Sequence, residues 1–232
     1  MIKLLKSHPF FSDKTIDSCT LLEHQGYCNE NYLVVAEGKK YIARKLLRND
    51  IDRVFEYKVQ RLAFEQGITA EPLVFDEANA FMVSQFLEGV HKSKLDENDL
   101  KHLAYTLQKL HSIEVYSKPI TLHIKDQTDE VLKAFETIAK YDLEYVLCHN
   151  DLNPQNVFFS DEVTFIDWEY ASVSDRYFDL ACICMEFKLD NEDEIFFLES
   201  YFLKEDVINY EKHKAYKVIY KTLCQQWFAE NS

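Results

Sequence analysis

The first third of the chain shows the alternation of apolar and polar positions that is typical of short β-strands in a half-buried sheet. A Gly-Lys turn at residues 38–39 separates two of these runs and predicts a β-hairpin. Between residues 51 and 65 the apolar positions recur with a helical period, and Gly67 follows as a stop signal. The strands are expected at residues 19–23, 31–36, 41–46, 73–75 and 81–84. The pattern therefore predicts a small antiparallel sheet that carries one main helix.

Beyond residue 88 the apolar spacing changes to that of helices, with short strands on either side of residues 149–156. Helices are expected at residues 97–112 and 127–140, with three more beginning near Ser174, Asn191 and Asp206. The fold class that follows is α+β, with a small antiparallel-sheet N-terminal lobe at residues 1–87 and a larger helical C-terminal lobe at residues 88–232. A hinge is expected near residues 85–89.

The charge balance narrows the classes of partner. The chain has 26 basic and 40 acidic residues, which gives a formal net charge of -14. Nucleic acids and anionic membranes attract clusters of Lys and Arg, so neither is expected as a partner. A small cationic substrate suits this negative field better, although acidity also serves solubility.

The cysteines and the N-terminal segment bear on the expected location of the protein in the cell. The six cysteines show no CxxC pair and no His at metal-ligand spacing, which is typical of reduced thiols in a cytoplasmic protein. Lysines interrupt the apolar residues of the segment 1–6, so no signal peptide is expected there. No run approaches the ~20 apolar residues that span a bilayer. A cytoplasmic location is therefore expected, while the sequence carries no signal for an oligomeric state.

Glycine spacing excludes two common types of nucleotide site. The chain has only four glycines, at positions 26, 38, 67 and 89. They lie too far apart for the GxGxxG pattern of a Rossmann site, and none begins the GxxxxGK[ST] pattern of a P-loop. A nucleotide must be held by a different type of site.

The strongest chemical signal is the run HNDLNPQN at residues 149–156, followed eleven residues later by Asp167. The pattern H-x-D-L-x-x-x-N, then an Asp after a short strand, is the order of the catalytic and metal loops of kinases. Asp151 is placed to accept the proton of an acceptor hydroxyl, while Asn156 and Asp167 supply the oxygen ligands that Mg²⁺ prefers. Taken singly, Asp151 could cap a turn and Asp167 could simply end a strand.

Three further strings, FIDWEYA, DRYFDLA and SQFLEG, accompany this motif, and the whole resembles the choline/ethanolamine kinase family of the LicA type, within the aminoglycoside phosphotransferase-like kinases. The resemblance covers nearly the whole chain. It implies a bilobal protein-kinase-like fold that transfers the γ-phosphoryl group of ATP to the hydroxyl of choline or ethanolamine. It also implies Asp151 as the catalytic base and Asn156 and Asp167 as ligands of Mg²⁺.

The resemblance further implies a nucleotide site in the first lobe. Arg44 occupies the strand position at which related kinases hold phosphate with a basic residue, and a planar guanidinium suits phosphate oxygens. Glu56 on the following helix is the expected partner of Arg44, with an exposed helix residue as the alternative. Gly26 and Asn29 match a loose flap over the phosphates. The hinge residues expected at the adenine edge are Gln85 and Leu87.

Five other positions carry expectations with plainer alternatives. His149 is expected to support the loop by hydrogen bonds, with a metal-ligand role as the alternative, and Asp179 is expected to tie the loop down. Glu169 matches an acidic residue near the site of choline kinases, or it forms a structural ion pair. Tyr220 and Trp227 share one face of the C-terminal helix, where a cation–π contact with the acceptor is worth about 0.5–2 kcal/mol. Packing into the helical lobe is the alternative for both aromatic residues.

Three functions remain open from the sequence. The first is a choline or ethanolamine kinase. The second is the same chemistry on another small alcohol, such as thiamine or an aminoglycoside. The third is a kinase-like scaffold that binds a nucleotide without turnover. The glycine-poor flap favours the scaffold, whereas the intact Asp151, Asn156 and Asp167 favour an enzyme.

Overall fold

The computed structural model describes residues 1–23, 28–203 and 208–231 of the chain. Gly26, one of the expected flap residues, lies outside the described residues. The chain forms two compact units, Met1–Glu88 and Gly89–Ser232. The first is built on a sheet and the second mainly on helices.

Strands dominate the N-terminal unit, as the alternating pattern predicts. Its elements are α1 (Ile2–Ser7), β1 (Ile16–Leu21), β2 (Asn29–Ala36), β3 (Lys39–Leu46), α2 (Arg53–Glu65), β4 (Pro72–Asp76) and β5 (Phe81–Gln85). The strands form one sheet of five in the order β1-β2-β3-β5-β4, and every neighbouring pair is antiparallel. The β2–β3 hairpin turns at Glu37 and Gly38, whose φ angles of 51° and 75° both lie in the left-handed region. Glycine at the second position suits this turn.

The core of this unit joins the sheet to the N-terminal segment. Alternate residues of β2 and β3, such as Val34 and Tyr41, are buried against it. Helix α1 and a 3-10 turn at Pro9–Phe11, which the sequence pattern does not predict, add Leu5 and Phe11 to the same core. Helices this short are marginal in water and depend on tertiary packing, so they leave no clear periodic signal.

The C-terminal unit is mainly helical, as its apolar spacing predicts. Its helices are α3 (Glu97–His111), α4 (Asp129–Ile138), α5 (Tyr177–Glu186), α6 (Asn191–Phe202) and α7 (Tyr210–Asn231). Its strands are β6 (Tyr145–Cys148), β7 (Val157–Phe159), β8 (Val163–Phe165) and β9 (Ser172–Asp175). Strand β6 pairs with β9 and β7 pairs with β8, both antiparallel. Helix α3 begins with a capping box, in which Asp96 accepts a hydrogen bond of 2.8 Å from the backbone of Asp99.

One element of this unit differs from the sequence prediction. The helix expected from about Ser174 is wrong at its start, because residues 172–175 form strand β9 and α5 begins at Tyr177. Ser174 pairs with Val146 across the ladder. Such pairing joins segments that are distant in the chain, which a local apolar period does not reveal. The start expected near Asp206 lies outside the described residues.

The cysteines match the expectation of reduced thiols. All six lie within the described ranges and none of them forms a disulfide there, and four of them are buried. Burial raises the pKa of the thiols of Cys148, Cys182 and Cys184 well above the usual value, so these thiols stay protonated and unreactive. Across the described ranges, the structure contains no helix whose length and apolarity would let it cross a membrane.

Candidate active site

The motif loop follows strand β6 and is anchored by one buried carboxylate. Asp179, in the first turn of α5, is 0% exposed and accepts hydrogen bonds from the backbone of His149 at 2.8 Å and of Asn150 at 2.7 Å. Hydrogen bonds to a charged acceptor are stronger than neutral ones. Asn150 adopts a left-handed backbone with φ 66°, and its side-chain amide donates to the Tyr170 carbonyl at 2.8 Å. The chain is therefore fixed directly before Asp151.

His149 supports the loop from the interior of the unit. Its ring is fully buried against Trp168, with ring centroids 4.7 Å apart. The Nε2 atom donates to the Ile166 carbonyl at 2.9 Å, because a carbonyl can only accept. Burial lowers the pKa of His149, so the ring is neutral. The contact ties the catalytic loop to the residue that precedes Asp167.

Asp151 is held by two amide side chains. Its Oδ1 atom accepts a hydrogen bond from Asn153 Nδ2 at 3.0 Å, and its Oδ2 atom accepts one from Asn156 Nδ2 at 2.8 Å. Burial raises the pKa of Asp151 to about 7, and the negative charges of Asp167 and Glu169 add to the rise against the two amide hydrogen bonds. The carboxyl group is therefore oriented and titrates near neutral pH, as a general base requires.

Asn156 and Asp167 lie beside this carboxylate and offer oxygen atoms. The Asn156 amide nitrogen donates to the Asp151 backbone carbonyl at 2.8 Å as well as to its carboxylate, so the amide oxygen is the atom that can bind a cation. Asp167 has a left-handed backbone with φ 67° and begins a 3-10 turn that its side chain does not cap. The backbone of Ile166 donates to the Asn156 carbonyl at 3.0 Å and joins the two segments. An oxygen-only donor pair suits Mg²⁺.

A second set of buried groups extends from Asp179 to helices α3 and α6. The Tyr201 hydroxyl lies 2.6 Å from His111 Nδ1, and His111 Nε2 lies 3.1 Å from Asp179 Oδ2. Since a carboxylate only accepts, Nε2 carries the proton and Nδ1 accepts from the hydroxyl. Burial lowers the pKa of His111 and keeps it neutral. Cys148 lies within 4.8 Å of this pair, but the hydrogen bonds already made by His111 and Asp179 make the trio a loop support rather than a metal site.

A buried ion cluster lies in the N-terminal unit, between α2 and the sheet. Arg44 Nη1 lies 2.8 Å from Glu56 Oε1, and Arg53 Nη1 lies 2.6 Å from Glu56 Oε2. Glu56 is 1% exposed, so it is not the solvated helix residue considered as its alternative. Arg53 Nη2 also donates to Asn29 Oδ1 at 3.1 Å. Two guanidinium groups share one carboxylate, and a guanidinium group suits phosphate oxygens.

The other residues expected to bind the nucleotide are Asn29, Gln85 and Leu87. Asn29 is 3% exposed at the start of β2. Gln85 ends β5 with an exposed side chain, and its backbone donates to the Glu71 carbonyl at 2.9 Å. Leu87 follows as a half-buried residue. Arg53 was missed by the sequence reasoning, although an Arg three residues before a Glu in the first turn of a helix is a readable signal for a shared network.

The aromatic residues of α7 differ in exposure. Tyr220 is 5% exposed and packs edge-on against Phe178 with ring centroids 5.6 Å apart, as the packing alternative expects of its ring. Its hydroxyl donates to Glu186 Oε1 at 2.9 Å. Trp227 is half-buried. Glu186, the last residue of α5, was missed by the sequence reasoning; its position seven residues after Asp179 on one helix face is the signal that could have found it.

The charge of Asp151 reaches this cluster. Burial raises the pKa of the thiols of Cys182 and Cys224, and the negative charge of Asp151 adds to the rise at both. Both thiols also interact with the Tyr220 hydroxyl.

The chain is similar in sequence to known phosphotransferases. The phosphotransferase enzyme family matches residues 116–216 of the chain. Protein LicA of Haemophilus influenzae is 26% identical over 236 residues, which cover 89% of this chain and 68% of that protein. LicA of the Haemophilus influenzae strain KW20 / Rd is 27% identical over 233 residues, which cover 88% of this chain and 86% of that protein.

Solved structures show the same fold. The crystal structure of choline kinase LicA from Streptococcus pneumoniae superposes with a TM-score of 0.83 at 22% identity and covers 98% of this chain and 89% of that one. A choline/ethanolamine kinase family protein from Mesorhizobium loti superposes with a TM-score of 0.76 at 20% identity and covers 97% and 83%. The kinase-like α+β fold is thereby confirmed. The chain is a phosphotransferase, and it is similar to the LicA proteins over most of its length and to the phosphotransferase enzyme family over residues 116–216.

Proposed function

We propose that this protein is an ATP-dependent kinase that transfers the γ-phosphoryl group to the hydroxyl of choline or ethanolamine. The observation that carries the proposal is Asp151, whose carboxyl group is oriented by Asn153 and Asn156 and has a pKa of about 7. The names of the relatives, which include choline kinases, support the choice of acceptor. The residues 1–87 form the nucleotide-binding lobe of this proposal and residues 88–232 the catalytic and acceptor-binding lobe.

Asp151 performs the proton transfer in this mechanism. The acceptor hydroxyl donates to the Asp151 carboxylate, which takes its proton as the oxygen attacks the terminal phosphorus. The bond from this phosphorus to the bridging oxygen of the β-phosphate breaks, and ADP leaves with the electron pair. When the pKa of a base is close to the working pH, much of the base is deprotonated and still binds a proton well. Such a base contributes typically ~10²–10⁴-fold in rate. The two amide hydrogen bonds leave Asp151 little rotational freedom, so the hydroxyl is held in one direction.

Asn156 and Asp167 are the residues that would hold magnesium. The amide oxygen of Asn156 and the carboxylate of Asp167 form an oxygen-only donor set beside Asp151. When bound, the cation neutralises charge on the phosphates as the terminal group is transferred. Its positive charge would also offset the effect of Asp167 on Asp151 and lower the pKa of the base.

The nucleotide is assigned to groups of the N-terminal unit. Arg44, steadied by the buried Glu56, binds phosphate oxygens, and Arg53 raises the positive charge of the same cluster. Asn29 is held by Arg53 and joins this group. The adenine edge is assigned to the backbone of the hinge, at Gln85 and Leu87.

A cationic acceptor suits the charges around Asp151. The carboxylate of Glu169 supplies negative charge that acts on Asp151. Glu186, which accepts a hydrogen bond from the Tyr220 hydroxyl, adds negative charge beside α7. Trp227, which is half-buried, offers a ring face for a cation–π contact, worth about 0.5–2 kcal/mol. Neutral acceptors gain none of these contacts, so the proposal favours an ammonium-bearing alcohol.

A panel of acceptors tests the proposal. The protein is incubated with Mg-ATP and choline, ethanolamine, thiamine or kanamycin, and ADP release is measured for each, with the Asp151→Asn variant as the control for background hydrolysis. We expect choline or ethanolamine to exceed the other two in kcat/KM by at least about 100-fold, a difference of about 2.7 kcal/mol. Turnover of thiamine or kanamycin alone would assign the same chemistry to another alcohol. Nucleotide binding with no turnover would contradict the enzymatic proposal.

A further inference from the structure

We propose that Lys212 is a positioning residue that keeps helix α7 in register with the strand ladder that carries the catalytic loop, and so orients the acceptor against Asp151. The inference rests on the proposed function, because α7 carries the acceptor-side residues Tyr220 and Trp227. Lys212 itself touches none of the reacting groups assigned above. Its contacts describe a joint between two parts of the C-terminal unit.

The Lys212 ammonium group is almost fully buried and fully paired. Lys212 is 1% exposed, and its Nζ atom lies 2.7 Å from Asp175 Oδ2, 2.8 Å from the Asp142 carbonyl and 3.3 Å from Glu144 Oε1. Three N–H donors thus meet three oxygen acceptors, and the Tyr177 ring lies 4.7 Å from the same atom. A buried charge is tolerated only with such complete pairing, so small displacements of Lys212 are unfavourable.

The partners of Lys212 belong to the base of the ladder that leads to the catalytic loop. Asp175 ends β9 and is 2% exposed. Its Oδ1 atom accepts from the backbone of Tyr177 at 3.0 Å, and its Oδ2 atom accepts from the backbone of Glu144 at 3.1 Å. The β6–β9 ladder runs from Asp175 to its other end at Cys148, directly before the loop. One carboxylate therefore connects Lys212 to β6, β9 and the start of α5.

The other side of the joint is the first turn of α7. Asn209 Oδ1 accepts from the backbone of Lys212 at 2.9 Å, and the backbone of Asn209 donates to the Tyr177 hydroxyl at 2.9 Å. Tyr216 and Tyr220 follow Lys212 by four and eight residues, so the three share one helix face. Tyr220 lies about 12 Å further along the axis, at 1.5 Å per residue. A helix pinned at Lys212 therefore fixes the axial position and rotation of Tyr220.

A second lysine of α7 provides a matched control. Lys217 also forms an ion pair, with Glu194 of α6, and its side chain is 32% exposed. This pair holds α7 to α6 and makes no contact with Asp175 or Glu144. Removing Lys217 measures the general effect of weakening the docking of α7. Removing Lys212 adds the loss of the connection to the ladder.

The test compares Lys212→Met, the double variant Lys212→Met with Asp175→Asn, and Lys217→Met. The single Lys212 variant leaves the Asp175 carboxylate buried without its cation, so the double variant removes both charges and keeps the test decisive if the single variant unfolds. Each full-length variant is assayed below its unfolding temperature for kcat, acceptor KM and ATP KM. Amide hydrogen exchange of residues 145–152 is measured in parallel.

We expect the acceptor KM of the folded Lys212 variants to rise about tenfold or more while the ATP KM stays within about twofold, because misplacement of one substrate group is costly. Lys217→Met should leave both KM values within about twofold. An acceptor KM within about twofold of the parent in the folded double variant would overturn the inference, because a purely structural lysine changes only the folded fraction. If the parent phosphorylates no acceptor, the proposed function fails, and hydrogen exchange alone decides: faster exchange at residues 145–152 supports the joint, and unchanged exchange refutes it.

Discussion

Three aspartates of the C-terminal unit, Asp151, Asp175 and Asp179, show how surroundings assign different tasks to one side chain. Asp179 accepts two backbone hydrogen bonds and one from His111, which commits it to holding the loop. Asp175 is neutralised by Lys212. Asp151 instead lies beside two amides and two acidic residues, and burial together with the charges of Asp167 and Glu169 raises its pKa to about 7. The described side-chain partners of Asp151 are two neutral amides and no cation. The carboxyl group therefore remains able to take a proton from an acceptor.

The pKa of Asp151 predicts the pH dependence of activity. A base must be deprotonated, so kcat/KM for the acceptor should rise with pH through the pKa of Asp151, which is about 7 without a cation and lower when magnesium offsets the charge of Asp167. Glu169 contributes negative charge that raises this pKa. Replacing it in Glu169→Gln should therefore move the acid limb of the profile to lower pH. The measurement is kcat/KM for the acceptor from about pH 5 to 9.

Glu162→Gln is the matched control for that profile, because Glu162 is an exposed residue of the β7–β8 hairpin outside the set of charges acting on Asp151. Its acid limb should coincide with that of the parent. An acid limb that stays in place in Glu169→Gln would contradict the role given to Glu169.

At the scale of elements, helix α2 is joined to the sheet by charge as well as by packing. Its first turn places Arg53 and Glu56 on the side that meets β2 and β3, where Arg44 and Asn29 complete the cluster. Asp52 begins the helix by accepting a hydrogen bond from Phe55 at 2.9 Å. A helix that delivers a buried carboxylate to two arginines must hold a single rotation about its axis.

Removal of Arg53 tests this cluster. Arg53→Met takes away one of two cations on Glu56 and the bond to Asn29, so the ATP KM should rise several-fold while the acceptor KM changes little. The free energy of unfolding should fall by about 2 kcal/mol, since hydrogen bonds between charged groups are lost. Arg61→Met, an exposed arginine of the same helix, is the control and should change neither quantity. An unchanged ATP KM in folded Arg53→Met would separate this cluster from nucleotide binding.

The sequence predicts the helices and strands that are encoded by neighbouring residues. Elements that form by pairing with a distant segment of the chain are seen only in the structure. The strands of the first unit and helix α3 follow from alternation, helical period and the Asp96 start, since these are properties of neighbouring residues. Strand β9 was missed because its pairing with β6 spans two intervening strands and the catalytic loop. Arg53 and Glu186 carry local signals, since Glu56 follows Arg53 by three residues and Glu186 follows Asp179 by seven, but their partners Asn29 and Tyr220 become neighbours only in the folded chain.

At the scale of the whole molecule, the net charge of -14 sets the direction of long-range attraction. Cations are drawn toward such a surface and anions are repelled, and salt screens both effects over about 8 Å at physiological ionic strength. The acceptor proposed above carries a positive charge, whereas the nucleotide is an anion. The net negative charge therefore attracts the cationic acceptor and repels the anionic nucleotide.

The long-range effect of the net charge is tested by varying the salt concentration. With ATP saturating, the KM for choline should rise several-fold between about 20 mM and about 300 mM salt, because screening weakens the attraction of the cation. The uncharged isostere 3,3-dimethyl-1-butanol, in which carbon replaces the ammonium nitrogen, should show a higher KM that salt hardly changes. Parallel salt dependence of the two alcohols would show that the charge of the acceptor is not what the protein recognises.

The left-handed backbone of Asn150 and Asp167 has a consequence for the history of this site. Most side chains destabilise that conformation by roughly 1–2 kcal/mol, while glycine, asparagine and aspartate accept it more readily. One of these two positions immediately precedes the proposed base, and the other is itself a proposed metal ligand. The backbone geometry thus restricts the residue types that both positions accept, independently of their chemical roles. Relatives that evolve to use other acceptors should therefore vary other residues of the site and keep glycine, asparagine or aspartate at these two positions.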